Sequence, residues 1–143
     1  MPYRLTLADI MTREVVTLSE DDSLEDARSC MERGRIRHLP VVRGNKLVGL
    51  VTHRDLLAAS FSVFAEVSRQ EEHRLFSQIP VTELMHDAVT APPTMPVREA
   101  AKLLLENKFG CLPVVDEEGR LLGIVTEADF LKLAVKMLEA IDA

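Results

Sequence analysis

Gly49-Leu50-Val51-Thr52-His53-Arg54-Asp55 and Gly123-Ile124-Val125-Thr126-Glu127-Ala128-Asp129 are two copies of one pattern. Each is a glycine, two apolar residues, a threonine, two variable residues and an aspartate. The apolar run reads as the end of a strand, and the threonine with an acid three residues on reads as the start of a helix. A strand-to-helix junction that occurs twice points to an internal duplication, which must be settled before any other reading.

The duplication extends outward from the junction. His38-Leu39-Pro40-Val41-Val42 returns as Cys111-Leu112-Pro113-Val114-Val115, and Lys46-Leu47-Val48 precedes one glycine as Arg120-Leu121-Leu122 precedes the other. Further upstream, Ile10-Met11 matches Leu84-Met85 and Val16-Thr17 matches Val89-Thr90. The offset is 73 residues from His38 to Cys111 and 74 from Gly49 to Gly123, a drift that belongs in a loop. The chain divides on this basis into a first repeat over 7–59, a linker with a helix extension over 60–80, a second repeat over 81–134 and a helix end over 135–143.

Each repeat reads as β-α-β-β-α. Val15 to Leu18 and Ala88 to Thr90 are short apolar stretches. In the first repeat Ser23 is the expected N-cap, with Asp26 three residues on, Leu24, Ala27 and Met31 as the apolar stripe and Gly34 as the stop. In the second, Thr94 or Met95 opens the helix, Pro96 sits in its first turn and Asn107 takes the place of Gly34. Two strands follow in each repeat, joined through Gly44-Asn45 and Glu118-Gly119. The final helices begin at Thr52 and Thr126. Phe61, Phe64, Ala65, Val67, Leu75, Phe76 and Ile79 are loosely helical, Arg69 to Arg74 reads as a solvated face, and Pro80 ends that segment. Neither half carries much apolar mass, so the two are expected to share one core.

Composition narrows the function classes. The 143 residues are 47% hydrophobic and 28% charged, with a formal net charge of −6. An acidic chain with only 4% aromatics and no Trp is a poor fit to nucleic acid. The basic cluster Arg33, Arg35, Arg37 and His38 is too short for such a surface but fits one small anion. Cys30 and Cys111 form no CxxC pair, and His38, His53, His73 and His86 show no metal-ligand spacing, so no metal is expected. No apolar run approaches the ~20 residues of a membrane span and no leader is recognisable at the N-terminus, so a cytoplasmic protein is expected. There is no GxSxG elbow and no Walker loop, and an enzyme is not expected.

The repeated junction supports two readings. In one, Thr52 and Asp55, like Thr126 and Asp129, form a capping box with Asp in place of Glu and need no ligand. In the other, the helix start faces an anion and the carboxylate accepts hydroxyl groups of a ribose.

The ordered set Met11-Thr12, Arg35 to Val42 and Gly49 to Asp55, present again in the second half, resembles a CBS domain, named for cystathionine beta-synthase. The resemblance covers nearly the whole chain. It implies an α/β (α+β) fold in which two CBS repeats pack sheet to sheet around a pseudo-two-fold axis as a Bateman module, with a ligand cleft on each side. It implies AMP, ADP, ATP or a related adenosine compound as ligand, no required cofactor, and a disc-shaped homodimer that regulates an unidentified partner. Carried over by position, one cleft takes Asp55 for the ribose, His38, Thr52 and Arg54 for phosphates, and Leu84, Val89, Phe109 and Gly110 around the adenine. The other takes Asp129, Thr126, Ala128 and Cys111, with Ile10, Val16, Ile36 and Arg37 around the base. Because the first has His38 and Arg54 where the second has Cys111 and Ala128, the Asp55 cleft is expected to favour a phosphorylated ligand. The alternative is a dimerising scaffold that binds nothing small.

Overall fold

The computed structural model describes residues 4–64 and 67–143, without the side chains of 61–64. The elements in chain order are α1 (Leu7–Ile10), β1 (Leu18–Ser19), α2 (Leu24–Gly34), β2 (His38–Arg43), β3 (Lys46–Thr52), α3 (His53–Phe64), α4 (Arg69–Gln78), a 3₁₀ turn (Val81–Glu83), α5 (Val97–Asn107), β4 (Cys111–Val115), β5 (Leu121–Thr126) and α6 (Glu127–Asp142). The fold is mixed α+β, as expected. Two compact units emerge, one of Val16–Ala88 and one of Met1–Val15 with Val89–Ala143. The chain therefore crosses between units near residue 15 and again near residue 88.

In the continuous unit, β1 runs parallel to β2, and β2 pairs antiparallel with β3, with a shift in register between Val41 and Val42. Leu39, Val41 and Val51 alternate inward from the sheet and are fully buried. The apolar stripe of α2, Leu24, Ala27 and Met31, covers them together with Leu56 and Phe76. Ser23 caps α2 as its sequence predicts: its hydroxyl accepts the Asp26 amide at 3.1 Å and its own amide donates to Asp26 Oδ2 at 2.8 Å. The discontinuous unit repeats this plan. Hairpin β4–β5 has the same shifted register between Val114 and Val115, and Leu112, Val114 and Val125 are its fully buried inward residues. Ala100 and Leu104 of α5 and Leu7 of α1 pack on them. Most of the buried apolar residues fall into two clusters, one within each unit.

Local expectations need four corrections. The first apolar stretch contributes only Leu18 and Ser19 to a strand, while Val16 and Val89 are about half exposed. The left-handed residue that ends α2 is Arg35 (φ 51°), not Gly34, and that of α5 is Lys108 (φ 56°), not Asn107. Each helix simply runs one residue further before the turn. Pro96 is the N-cap of α5 rather than part of its first turn, because it has extended backbone angles. Finally, Arg69 to Arg74 is not wholly solvated. Glu72 turns inward to meet Arg28 Nη1 at 2.7 Å and the Ser60 hydroxyl at 3.1 Å, and Arg28 stacks 4.9 Å from the centroid of Phe76. The helical reading holds at Phe61 and Phe64, where α3 continues to Phe64, whereas the reading at Ala65 lies outside the described residues; Phe76 is fully buried. Gly44 (φ 65°) and Gly119 (φ 82°) supply the left-handed turns of the two hairpins.

Candidate functional site

Both helix starts carry the reciprocal cap. In the continuous unit the Thr52 amide donates to Asp55 Oδ2 at 2.8 Å and the Asp55 amide donates to Thr52 Oγ1 at 3.2 Å. In the discontinuous unit the Thr126 amide donates to Asp129 Oδ2 at 2.8 Å, within a full capping box. The capping reading is therefore real at both positions, and a site must be built on carboxylates that already serve the backbone.

What surrounds the two carboxylates differs. A short segment lies along the last strand of each unit: His86 exchanges both main-chain hydrogen bonds with Leu50 (2.9 and 3.1 Å), and Thr12 exchanges both with Ile124 (2.9 and 2.9 Å). The residue before each, Met85 or Met11, covers the motif glycine. A Cβ on Gly49 falls 2.6 Å from Met85 Sδ, and a Cβ on Gly123 falls 2.7 Å from Met11 Sδ and 2.8 Å from the Thr12 carbonyl. This is why the pattern begins with glycine. The pairing carries the next side chain to the aspartate. His86 Nε2 lies 3.1 Å from Asp55 Oδ2, and the Thr12 hydroxyl donates to Asp129 Oδ1 at 3.1 Å.

The consequence is an asymmetry in availability. Asp129 is 6% exposed, and both of its oxygens have partners within its unit. Asp55 is more open, with 27% of its side chain accessible, and Thr52 and His86 both meet the same oxygen, Oδ2. Thr12 and His86 were not among the expected site residues. The signal was present in the repeat alignment, as the difference between Met-Thr and Met-His at matching positions.

The remaining expected residues divide by unit. With Asp55 and Thr52 lie Arg54, which is exposed, His38, at the start of β2, and Leu84, which packs against the core of that unit. Val16, Ile36 and Arg37, assigned to the other cleft, also belong to this unit. The Arg37 carbonyl accepts the first amide of α3, His53 N–H, at 2.8 Å, so that amide is already engaged. With Asp129 and Thr126 lie Ala128, exposed, Cys111, 5% exposed, and Ile10, packed against the core of the discontinuous unit. Phe109 packs on the same core, and Gly110 and Val89 belong to the same unit. Burial pushes the Cys111 thiol up to about 12, the condition of an inert thiol.

A cavity of about 590 Å³ lies in the continuous unit, lined by the buried Met31 and Leu56 and by the exposed Arg35, Arg37 and Arg69 among others. Thr52 and Asp55 do not line it. Among the described residues no three His, Cys, Asp or Glu side chains converge as a metal site, and no helix is long and apolar enough to cross a membrane.

The twofold strand-to-helix junction, with its glycine, cap and acid, defines a tandem domain of one family. The CBS domain family matches residues 7–62 and 78–136, and the chain belongs to that family. A CBS domain-containing protein of Dictyostelium discoideum is 34% identical over 140 residues, covering 96% of this chain and 97% of that one. CBSX2, a CBS-pair protein of Arabidopsis thaliana, was solved in complex with AMP. That structure is 32% identical and superposes with a TM-score of 0.77 over 92% of this chain and 97% of its own. The CBS domain pair of protein MJ0100, solved with 5′-methylthioadenosine and S-adenosyl-L-methionine, is 26% identical with a TM-score of 0.76 over 94% of this chain and 99% of that one. In longer relatives such as the inosine-5′-monophosphate dehydrogenase of Korarchaeum cryptofilum, the match covers 22% of the protein.

Proposed function

We propose that the protein is a non-catalytic regulatory module of the cytoplasm that binds an adenosine nucleotide (AMP, ADP or ATP) at the helix start headed by Thr52 and Asp55. The observation that carries this reading is the exposure of the Asp55 carboxylate, with Oδ1 turned to no partner among the described residues. The two oxygens of such a carboxylate accept the two vicinal hydroxyls of a ribose, one each, and His38 and Arg54 sit on the same unit to meet phosphate. Support also comes from the relatives solved with AMP or with S-adenosylmethionine and methylthioadenosine. Asp129 is held by Thr12 and Thr126 and buried, so its end is the weaker site or takes a less charged adenosine compound. The module acts as a homodimer, and ligand changes its contacts with a regulated protein by preferring one arrangement over another.

Calorimetric titration with AMP and ATP tests the assignment. Asp55→Asn, which keeps the size of the capping side chain, should weaken the tighter site at least tenfold, and Asp129→Asn should leave it within about twofold. Loss of the tighter site in Asp129→Asn instead reverses the assignment. Absence of binding by any adenosine compound leaves a dimerising scaffold, with both aspartates acting as caps only.

A further inference from the structure

His86 makes two contacts that a neutral imidazole cannot make together. Nδ1 lies 3.0 Å from the Asp87 carbonyl oxygen and Nε2 lies 3.1 Å from Asp55 Oδ2. A carbonyl and an ionised carboxylate only accept hydrogen bonds, so both ring nitrogens must donate, and only the imidazolium carries two N–H groups. With one proton removed, one nitrogen presents a lone pair to an acceptor and that contact becomes repulsive. The elements against His86 are β3, which offers the uncharged Leu50 backbone, and α3, which offers the Asp55 carboxylate. From its own segment comes the Asp87 carbonyl. The other unit has Thr12 in the same place, a donor that does not titrate.

We propose that His86 is a positioning residue for Asp55: its imidazolium clamps the carboxylate against the Thr52 amide with a charge-assisted hydrogen bond, and its neutral form, with no charge and one N–H for two acceptors, holds the carboxylate weakly enough for the hydroxyls of a nucleotide sugar to displace it. Bound His86 leaves Oδ2 with two donors and closes it to a ribose, so acidification weakens nucleotide binding at this unit and not at the one with Thr12. The effect on nucleotide rests on the function proposed above, whereas the clamp itself does not.

The test has two arms. In the first, ¹⁵N-edited spectra of the full chain at pH 5.5 report the His86 ring protons without ligand. The clamp keeps the Nε2 proton slow to exchange in the wild type and fast in Asp55→Ala. Fast exchange in both overturns the proposal, whatever the protein binds. In the second, AMP affinity is measured from pH 7.5 to pH 5.5. The titration of the AMP phosphate is common to all chains and cancels when they are compared. Relative to His86→Thr, which installs the residue of the other repeat, the wild type should lose at least threefold more affinity on acidification. His86→Gln, a donor that never titrates, should give the same pH profile as His86→Thr. Parallel profiles for wild type and His86→Thr overturn the proposal while leaving nucleotide binding intact. Failure of AMP to bind overturns the functional reading, and the ring spectra still decide the clamp.

Discussion

Substituting the motif glycines should separate two opposed effects. An alanine in an open strand position gains stability, about 0.4–1 kcal/mol, because the unfolded chain has less freedom to lose. At Gly123 the new Cβ sits 2.7 Å from Met11 Sδ, 3.0 Å from Met11 Cγ and 2.8 Å from the Thr12 carbonyl oxygen. The methionine can swing, but the carbonyl cannot move without breaking the 2.9 Å bond it accepts from the Ile124 amide. At Gly49 all three close neighbours, at 2.6, 2.9 and 3.1 Å, are side-chain atoms of Met85, which can give way in part. Overpacking of this kind costs about 1–3 kcal/mol. Gly123→Ala should fall at the upper end, about 3 kcal/mol, and Gly49→Ala nearer 1 kcal/mol. Gly34→Ala is the control. Its Cβ meets only Ile36, at an ordinary 3.5 Å and beyond, at the last residue of α2, so it should stabilise by up to about 0.5 kcal/mol. Urea denaturation followed by circular dichroism gives the order, and hydrogen exchange of the Thr12 and Ile124 amides locates the damage in Gly123→Ala. A Gly123→Ala chain as stable as wild type, or stabilised like Gly34→Ala, would refute the close-approach explanation of the motif glycine.

Further outcomes follow from Cys111 and Arg28. Cys111, with its thiol raised by burial, should resist alkylation at pH 8 while the partly exposed Cys30 reacts, and mass spectrometry of the labelled folded protein distinguishes them. Between the free thiol value near 9 and about 12, the folded state keeps a proton that the unfolded state loses. Stability therefore falls as pH rises through that range, and Cys111→Ala should remove that fall. Arg28→Ala should cost about 1–2 kcal/mol because it removes the Phe76 contact and leaves Glu25 and Glu72 without their shared cation. Arg28→Lys should recover less than half of the loss in thermal melts, since one ammonium cannot reach both acids and stack on the ring.

Much of this was legible in the sequence, and the reasons are local. Ser23 and Asp26, Thr52 and Asp55, and the Gly44 and Gly119 turns are short-range devices whose chemistry is written within four residues. The inward set Leu39, Val41 and Val51, repeated as Leu112, Val114 and Val125, follows from strand alternation. The exact end of α2 was not legible, because Gly34 is the better left-handed residue by type but Arg35 is the one that turns. Nor was the inward turn of Glu72, since a charge that pairs with Arg28 from 44 positions away leaves no periodic trace. The likeness of the two repeats drew attention to what they share, Thr and Asp. The donors that distinguish the two carboxylates, His86 and Thr12, lie where the repeats differ, 31 and 117 positions from the acids they meet.

The two crossings of the chain order its assembly in time. A ribosome releases the N-terminus first, yet residues up to Val15 belong with a unit whose other part starts at Val89. The continuous stretch between them can complete its own sheet and helices while that leading segment has no partner to join. The last unit to close must then recapture a strand-side segment emitted more than seventy residues earlier. Synthesis and final packing therefore run in different orders, and a chain halted after the first repeat carries an orphaned leading edge with Met11 and Leu7 uncovered.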